Sequence, residues 1–137
     1  MASQLKVDTL TGVTTAGSID VTGEGNSTTT SLQQGLAKCW FQITGVSTAS
    51  LNDSLNVSSF NDEGTANYKI TYSNNMNNTT YSYSNGAGWD VGGTNSTYNG
   101  TDKDEILTST LEIYHVNAGD AATDANLSMG SIHGDLA

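Results

Sequence analysis

KCWFQIT, residues 38–44, sets Cys39, Phe41 and Ile43 alternately against Trp40, Gln42 and Thr44. Successive side chains leave a pleated backbone on opposite sides, so a period of two marks a strand whose two faces meet different surroundings. The segment predicts a half-buried strand with Trp40 on the face opposite Cys39. Downstream, ANYKITYS at 66–73 repeats the pattern, with Tyr68, Ile70 and Tyr72 facing one way. LNVSSF at 55–60 places Leu55 and Val57 on one face and Phe60 out of phase, which suggests a bulge or a strand end. With NDEGT at 61–65 as the turn, residues 55–73 predict a β-hairpin.

ILTSTLEIYHV at 106–116 predicts a further strand, with Leu107, Leu111 and Ile113 on one face. YSYS at 81–84 and LSMGSIHGDLA at 127–137 supply two more, and NNMNNTT at 74–80 and NAGDAATDAN at 117–126 read as loops. Helix signals are confined to SLQQGLAK at 31–38, enough for one turn and interrupted by Gly35. Six or seven short strands at this spacing predict an all-β protein, an antiparallel β-sandwich head over residues 36–137.

Residues 1–35 read differently. LKVDTLTGVTTAGSIDVTGEG at 5–25 scatters Leu5, Val7, Leu10, Val13, Ile19 and Val21 among Thr, Gly and Asp, with no aromatic residue. One copy of such a segment buries too little area to offset the entropy of ordering it. It is therefore expected to form an extended N-terminal arm for anchoring and oligomerisation, with a homotrimer or another cyclic assembly burying those side chains along one axis. GNSTTTS at 25–31 reads as a linker or turn.

Composition narrows the function. The 137 residues carry 14 acidic groups against 4 lysines, with no arginine, for a formal charge of −10. Phosphate backbones and anionic lipid surfaces are bound through Lys and Arg, so neither nucleic acid nor a membrane is an expected partner. No apolar run approaches a bilayer span, and MASQLKVDTL has no basic region followed by an apolar stretch, so no signal peptide is expected. Cys39 is the single cysteine, which fits synthesis in a reducing cytoplasm. Thr, Ser, Asn and Gly number 20, 16, 14 and 15, and only 13% of residues are charged. Polarity of that kind belongs to turns and surface strands rather than to a disordered chain.

Chemistry-bearing residues are few. His115 and His133 lie on predicted strands without HxH, HExxH or CxxC spacing, so no metal or other cofactor is expected. Cys39 sits among apolar neighbours, where a thiol behaves as a small core residue rather than a nucleophile. Asp102, Asp104, Glu105, Asp120 and Asp124 offer oxygen ligands, but no EF-hand loop surrounds them. No P-loop, GxSxG or dinucleotide fingerprint occurs, so no enzyme is expected and no catalytic residue is assigned. Eight N-x-[ST] sequons follow from the abundance of Asn, Ser and Thr.

The segment 85–105 reads as a long loop carrying Trp89, Asp90 and Tyr98. Loops beyond about 12–15 residues are uncommon unless functional. Flat aromatic faces beside a carboxylate suit the grip of a sugar or a protein, so these three are the candidate receptor contacts. The structural alternative is that Trp89 plugs the end of the sandwich; for Trp40 it is a contact between subunits or sheets.

The opening LKVDTLTGVTTAGSI, the junction TGEGNSTTTSLQQGLAKCW, the hairpin SLNVSSFNDEGTANYKITYS and the ending IHGDLA together resemble a module of virion proteins from marine bacteriophages, cyanophages especially. The resemblance covers most of the chain and is weakest at 74–105. It implies a trimeric, non-enzymatic component located in the virion, a tail fibre or related appendage with a host-facing β-head, and supplies no catalytic residues. Other virion proteins of the tail or capsid, and a host surface glycan, are the implied partners. A capsid-decorating fibre or knob is the alternative, with a free carbohydrate-binding module further off.

Overall fold

Alternation at four strands builds the core. In the computed structural model, which describes residues 4–12, 19–23, 28–88, 98–101, 103–117 and 119–137, the chain divides into two units, Met1–Leu36 and Ala37–Ala137. The larger unit is all β. Its strands are β3 (Cys39–Thr44), β4 (Ser50–Leu55), β5 (Val57–Gly64), β6 (Asn67–Tyr72), β7 (Ser82–Gly88), β8 (Tyr98–Gly100), β9 (Thr110–Val116) and β10 (Leu127–His133). They form two four-stranded antiparallel sheets, in the order β4-β3-β10-β7 and β5-β6-β9-β8, packed as a sandwich.

The central strands of each sheet, β3 with β10 and β6 with β9, face one another. Cys39, Phe41, Ile43, Tyr68, Ile70, Leu111, Ile113 and Ile132 are buried there. Each such side chain contributes roughly 1.5–3 kcal/mol. Gly130 on β10 also points inward, and a Cβ on it would lie 2.6 Å from the rings of both Phe41 and Tyr83. The two rings, with centroids 6.3 Å apart, occupy the space that the missing side chain leaves.

Several expectations hold. Phe41, Ile70 and Leu111 are inward, Trp40 lies opposite Cys39, and β5 with β6 is an antiparallel hairpin. Others are corrected. Leu55 and Val57 belong to different sheets, because the chain changes layer at Asn56 (φ 61°). Asn reaches that left-handed region more readily than other side-chain-bearing residues. Asn56 is held there by accepting from Asn74 N at 2.7 Å and donating to Asn74 O at 3.0 Å. Leu107 lies before β9 and is exposed, since regular pairing begins at Thr110. The segment 85–105 is not one loop: β7 continues to Gly88, β8 occupies 98–100 and a 3-10 turn covers Lys103–Glu105.

In the smaller unit, β1 (Asp20–Thr22) pairs with β2 (Thr29–Ser31), so the end of the expected linker is a strand. One helical turn follows, α1 (Leu32–Gly35), with Ser31 as its N-cap. The unit places no residue of β1, β2 or α1 in a buried position.

Candidate functional site

The surfaces that the fold leaves unsatisfied are the places to look for function. In the smaller unit, Leu5 is 79% exposed, and Val7, Leu10 and Val21 are each more than half exposed. Ile19 is half-buried, and its carbonyl accepts from Leu32 N at 2.7 Å. Val13 lies outside the described residues.

On the larger unit, the outer face of the sheet β4-β3-β10-β7 carries two cross-strand rows. Gln42 on β3 stands opposite Met129 on β10, and Met129 opposite Gly86 on β7. One step along, Trp40 faces Ser131, and Ser131 faces Ser84. Trp40 and Met129 are 37% and 40% exposed, and on β4 the exposed Leu55 stands opposite Trp40 and the exposed Asp53 opposite Gln42. Trp40 and Met129 border a shallow groove of about 510 Å³. The Ser84 and Ser131 hydroxyls are 2.9 Å apart, close enough to orient one another. Gly86 needs no conformation that a side chain forbids, and a Cβ built on it meets nothing within 4 Å. The space above it is open.

The opposite outer face, on β6 and β9, is more polar. Lys69 Nζ contacts Glu112 Oε1 at 2.8 Å beside a cavity of about 450 Å³ that Asn67, Thr101, Glu105 and Tyr114 help to line. The Glu112 carboxylate stabilises the Lys69 ammonium and raises its pKa. β8 lies at this edge, with Tyr98 opposite Val116. Only the backbone of Tyr98 is described, and Trp89 and Asp90 lie outside the described residues.

Between the sheets, His115 Nε2 and Ser128 Oγ are 3.0 Å apart. Near them Asp124 Oδ1 accepts from Ala66 N at 2.6 Å and from the Tyr68 hydroxyl at 2.9 Å. Its hydrogen bonds join residues thirteen or more apart, which hides the cluster from any motif search. His115 Nδ1 has no hydrogen-bond partner. Burial lowers the His115 pKa against the opposing pull of Asp124, which favours a neutral imidazole. Although serine and histidine meet at the distance of a nucleophile and its base, both side chains are fully buried and no substrate reaches them. Cys39 is sealed likewise, and burial pushes its thiol up to about 12, so it stays protonated at neutral pH.

Among the described residues, no three His, Cys, Asp or Glu side chains converge as metal ligands. No helix there is long and apolar enough to cross a membrane. No protein-family model, curated protein or solved structure matches the chain.

Proposed function

We propose that the chain is a non-enzymatic structural subunit of a bacteriophage virion, a tail fibre or related appendage. In this reading the N-terminal unit anchors and trimerises, and the sandwich is the outward head. The observation that carries it is the exposure of Leu5, Val7, Leu10 and Val21 in the isolated chain. Apolar side chains in water gain their stabilisation on burial, and identical arms around a common axis offer one another that cover. The resemblance of the opening and junction segments to phage virion proteins supports the same reading. So do the buried states of Cys39, His115 and Ser128, which leave these groups unavailable to a substrate.

Labelled antibodies raised against the chain and applied to purified particles of the phage that encodes it test the proposal. Label on the tail or its appendages is the expected outcome. Label confined to the capsid would transfer the arm to the coat lattice, as in a decorating knob. Absence from the particle would overturn the virion reading altogether.

A further inference from the structure

Two glycines lie on adjacent strands of the same sheet and differ in what they accomplish. Gly130 faces the core, where Phe41 and Tyr83 take up the room of its missing side chain. Gly86 faces outward, meets nothing, and has no positive φ to explain it. A strand glycine costs roughly 0.5–1 kcal/mol in backbone entropy relative to alanine, and at position 86 packing recovers none of it. What Gly86 provides is an opening beside Met129, diagonally across β10 from the exposed Trp40.

We propose that this outer face binds a neutral oligosaccharide, with Trp40 as the stacking platform and Gly86 as the opening that admits a ring. Gln42, Ser84 and Ser131 would hydrogen-bond to its hydroxyls. Size, charge and chemistry agree on this occupant. Three strands at about 4.8 Å spacing and two residues at about 3.4 Å each make a patch of roughly 10 by 7 Å, the footprint of one or two sugar rings. A stable protein partner needs roughly 800 Å² on each side, about tenfold more. Trp40, Gln42, Ser84, Gly86, Met129 and Ser131 include no ionisable side chain, and Asp53, opposite Gln42 on β4 of the same face, is acidic. The chain's −10 charge further disfavours an anionic sugar. The electron-rich indole face attracts the weakly positive C–H groups of a pyranose, and Met129 extends that apolar floor. Hydroxyl and amide groups beside it both donate and accept, as a polyol requires. This inference stands whether the chain sits on a tail, on a capsid or on neither.

The experiment is an amide-resonance titration of the full chain with maltotetraose, cellotetraose and N-acetylchitotetraose, and with tetragalacturonate as the anionic comparison. At millimolar sugar, at least one neutral probe should shift residues 40–42, 84–86 and 129–131, and tetragalacturonate should not. Trp40→Ala and Gly86→Leu should each weaken that binding about tenfold or more, a loss of roughly 1.4 kcal/mol. The leucine enters open space, so this variant keeps the parent's melting temperature and separates a blocked groove from a damaged fold. Three results would overturn the proposal: no shift with any neutral probe, parent-like binding by Gly86→Leu, or movement of the same resonances with protein concentration alone. The last would assign the face to a second copy of the chain.

Discussion

The head and the arm contain similar apolar residues and treat them in opposite ways. In the head, Ile43, Ile70 and Leu111 are fully buried because each has a facing strand to supply cover. Leu5, Val7 and Leu10 stand in residues 4–12, which form no strand or helix, and remain exposed. Hydrophobicity alone did not decide the outcome. Periodicity did, because alternation gathers small contributions onto one face, whereas the irregular spacing of Leu5, Val7 and Leu10 gathers them on none. The contrast teaches that regular alternation lets the sandwich cover its own apolar residues, while Leu5, Val7 and Leu10 stay exposed in the single chain.

The largest expected effects lie in the core. Phe41→Ala, Ile70→Ala or Leu111→Ala should each lower unfolding free energy by about 2–5 kcal/mol in denaturant titration. Gly130→Ala should cost about 1–3 kcal/mol, since its Cβ meets two aromatic rings with little room to retreat. Gly86→Ala should be neutral or slightly stabilising. Equal losses for the two glycine substitutions would contradict the inward and outward assignment of the sheet.

That assignment was only partly legible in the sequence. Strands with unbroken alternation, β3 and β6, declare their faces without knowledge of any partner. Asn56 does not, because LNVSSF looks like one strand unless the left-handed residue that sends Leu55 and Val57 to different sheets is recognised. The groove is less legible still. Trp40 could be placed on an outer face, but its neighbours Ser84, Gly86, Met129 and Ser131 arrive through pairing registers that local sequence does not encode. The His115–Ser128 contact also depends on packing, since it joins β9 of one sheet to β10 of the other.

The neighbouring hydrogen bond between Tyr68 and Asp124 predicts an intermediate effect. Loss of the Tyr68 hydroxyl in Tyr68→Phe removes its bond to Asp124 and its 3.2 Å contact with Gly45 O, and should cost about 1–3 kcal/mol in denaturant titration. The pH response follows from His115, whose pKa is lowered in the fold from an ordinary value of 6.5. Below pH 6.5 the unfolded chain accepts a proton that the folded chain refuses, so stability falls as pH drops through that value. One group contributes at most about 1.4 kcal/mol per pH unit, until the folded-state pKa is reached. Stability curves at stepped pH should show this decline beginning near 6.5, and His115→Gln should flatten it. Asp124 is the charged group beside the ring and Tyr68 packs against it at a tilt, so Asp124→Asn, by removing a favourable negative charge, should lower the folded-state pKa further and extend the decline to lower pH.

The smallest effect on stability belongs to the arm, and it is the most informative about assembly. Leu5, Val7 and Leu10 are exposed, so replacing them together by Ser should change the head's unfolding free energy by no more than about 0.5 kcal/mol per substitution. If the same residues are buried between copies, the triple variant should nevertheless shift from trimer to monomer in native mass spectrometry. Association also stabilises by mass action, so the parent's melting temperature should rise with protein concentration and that of the variant should not. A parent that remains monomeric at every concentration would break the distinction between a self-sufficient head and an arm that needs partners. A variant that stays trimeric would place the assembly contact elsewhere, and the exposed Trp40, Leu55 and Met129 would be the next set to substitute.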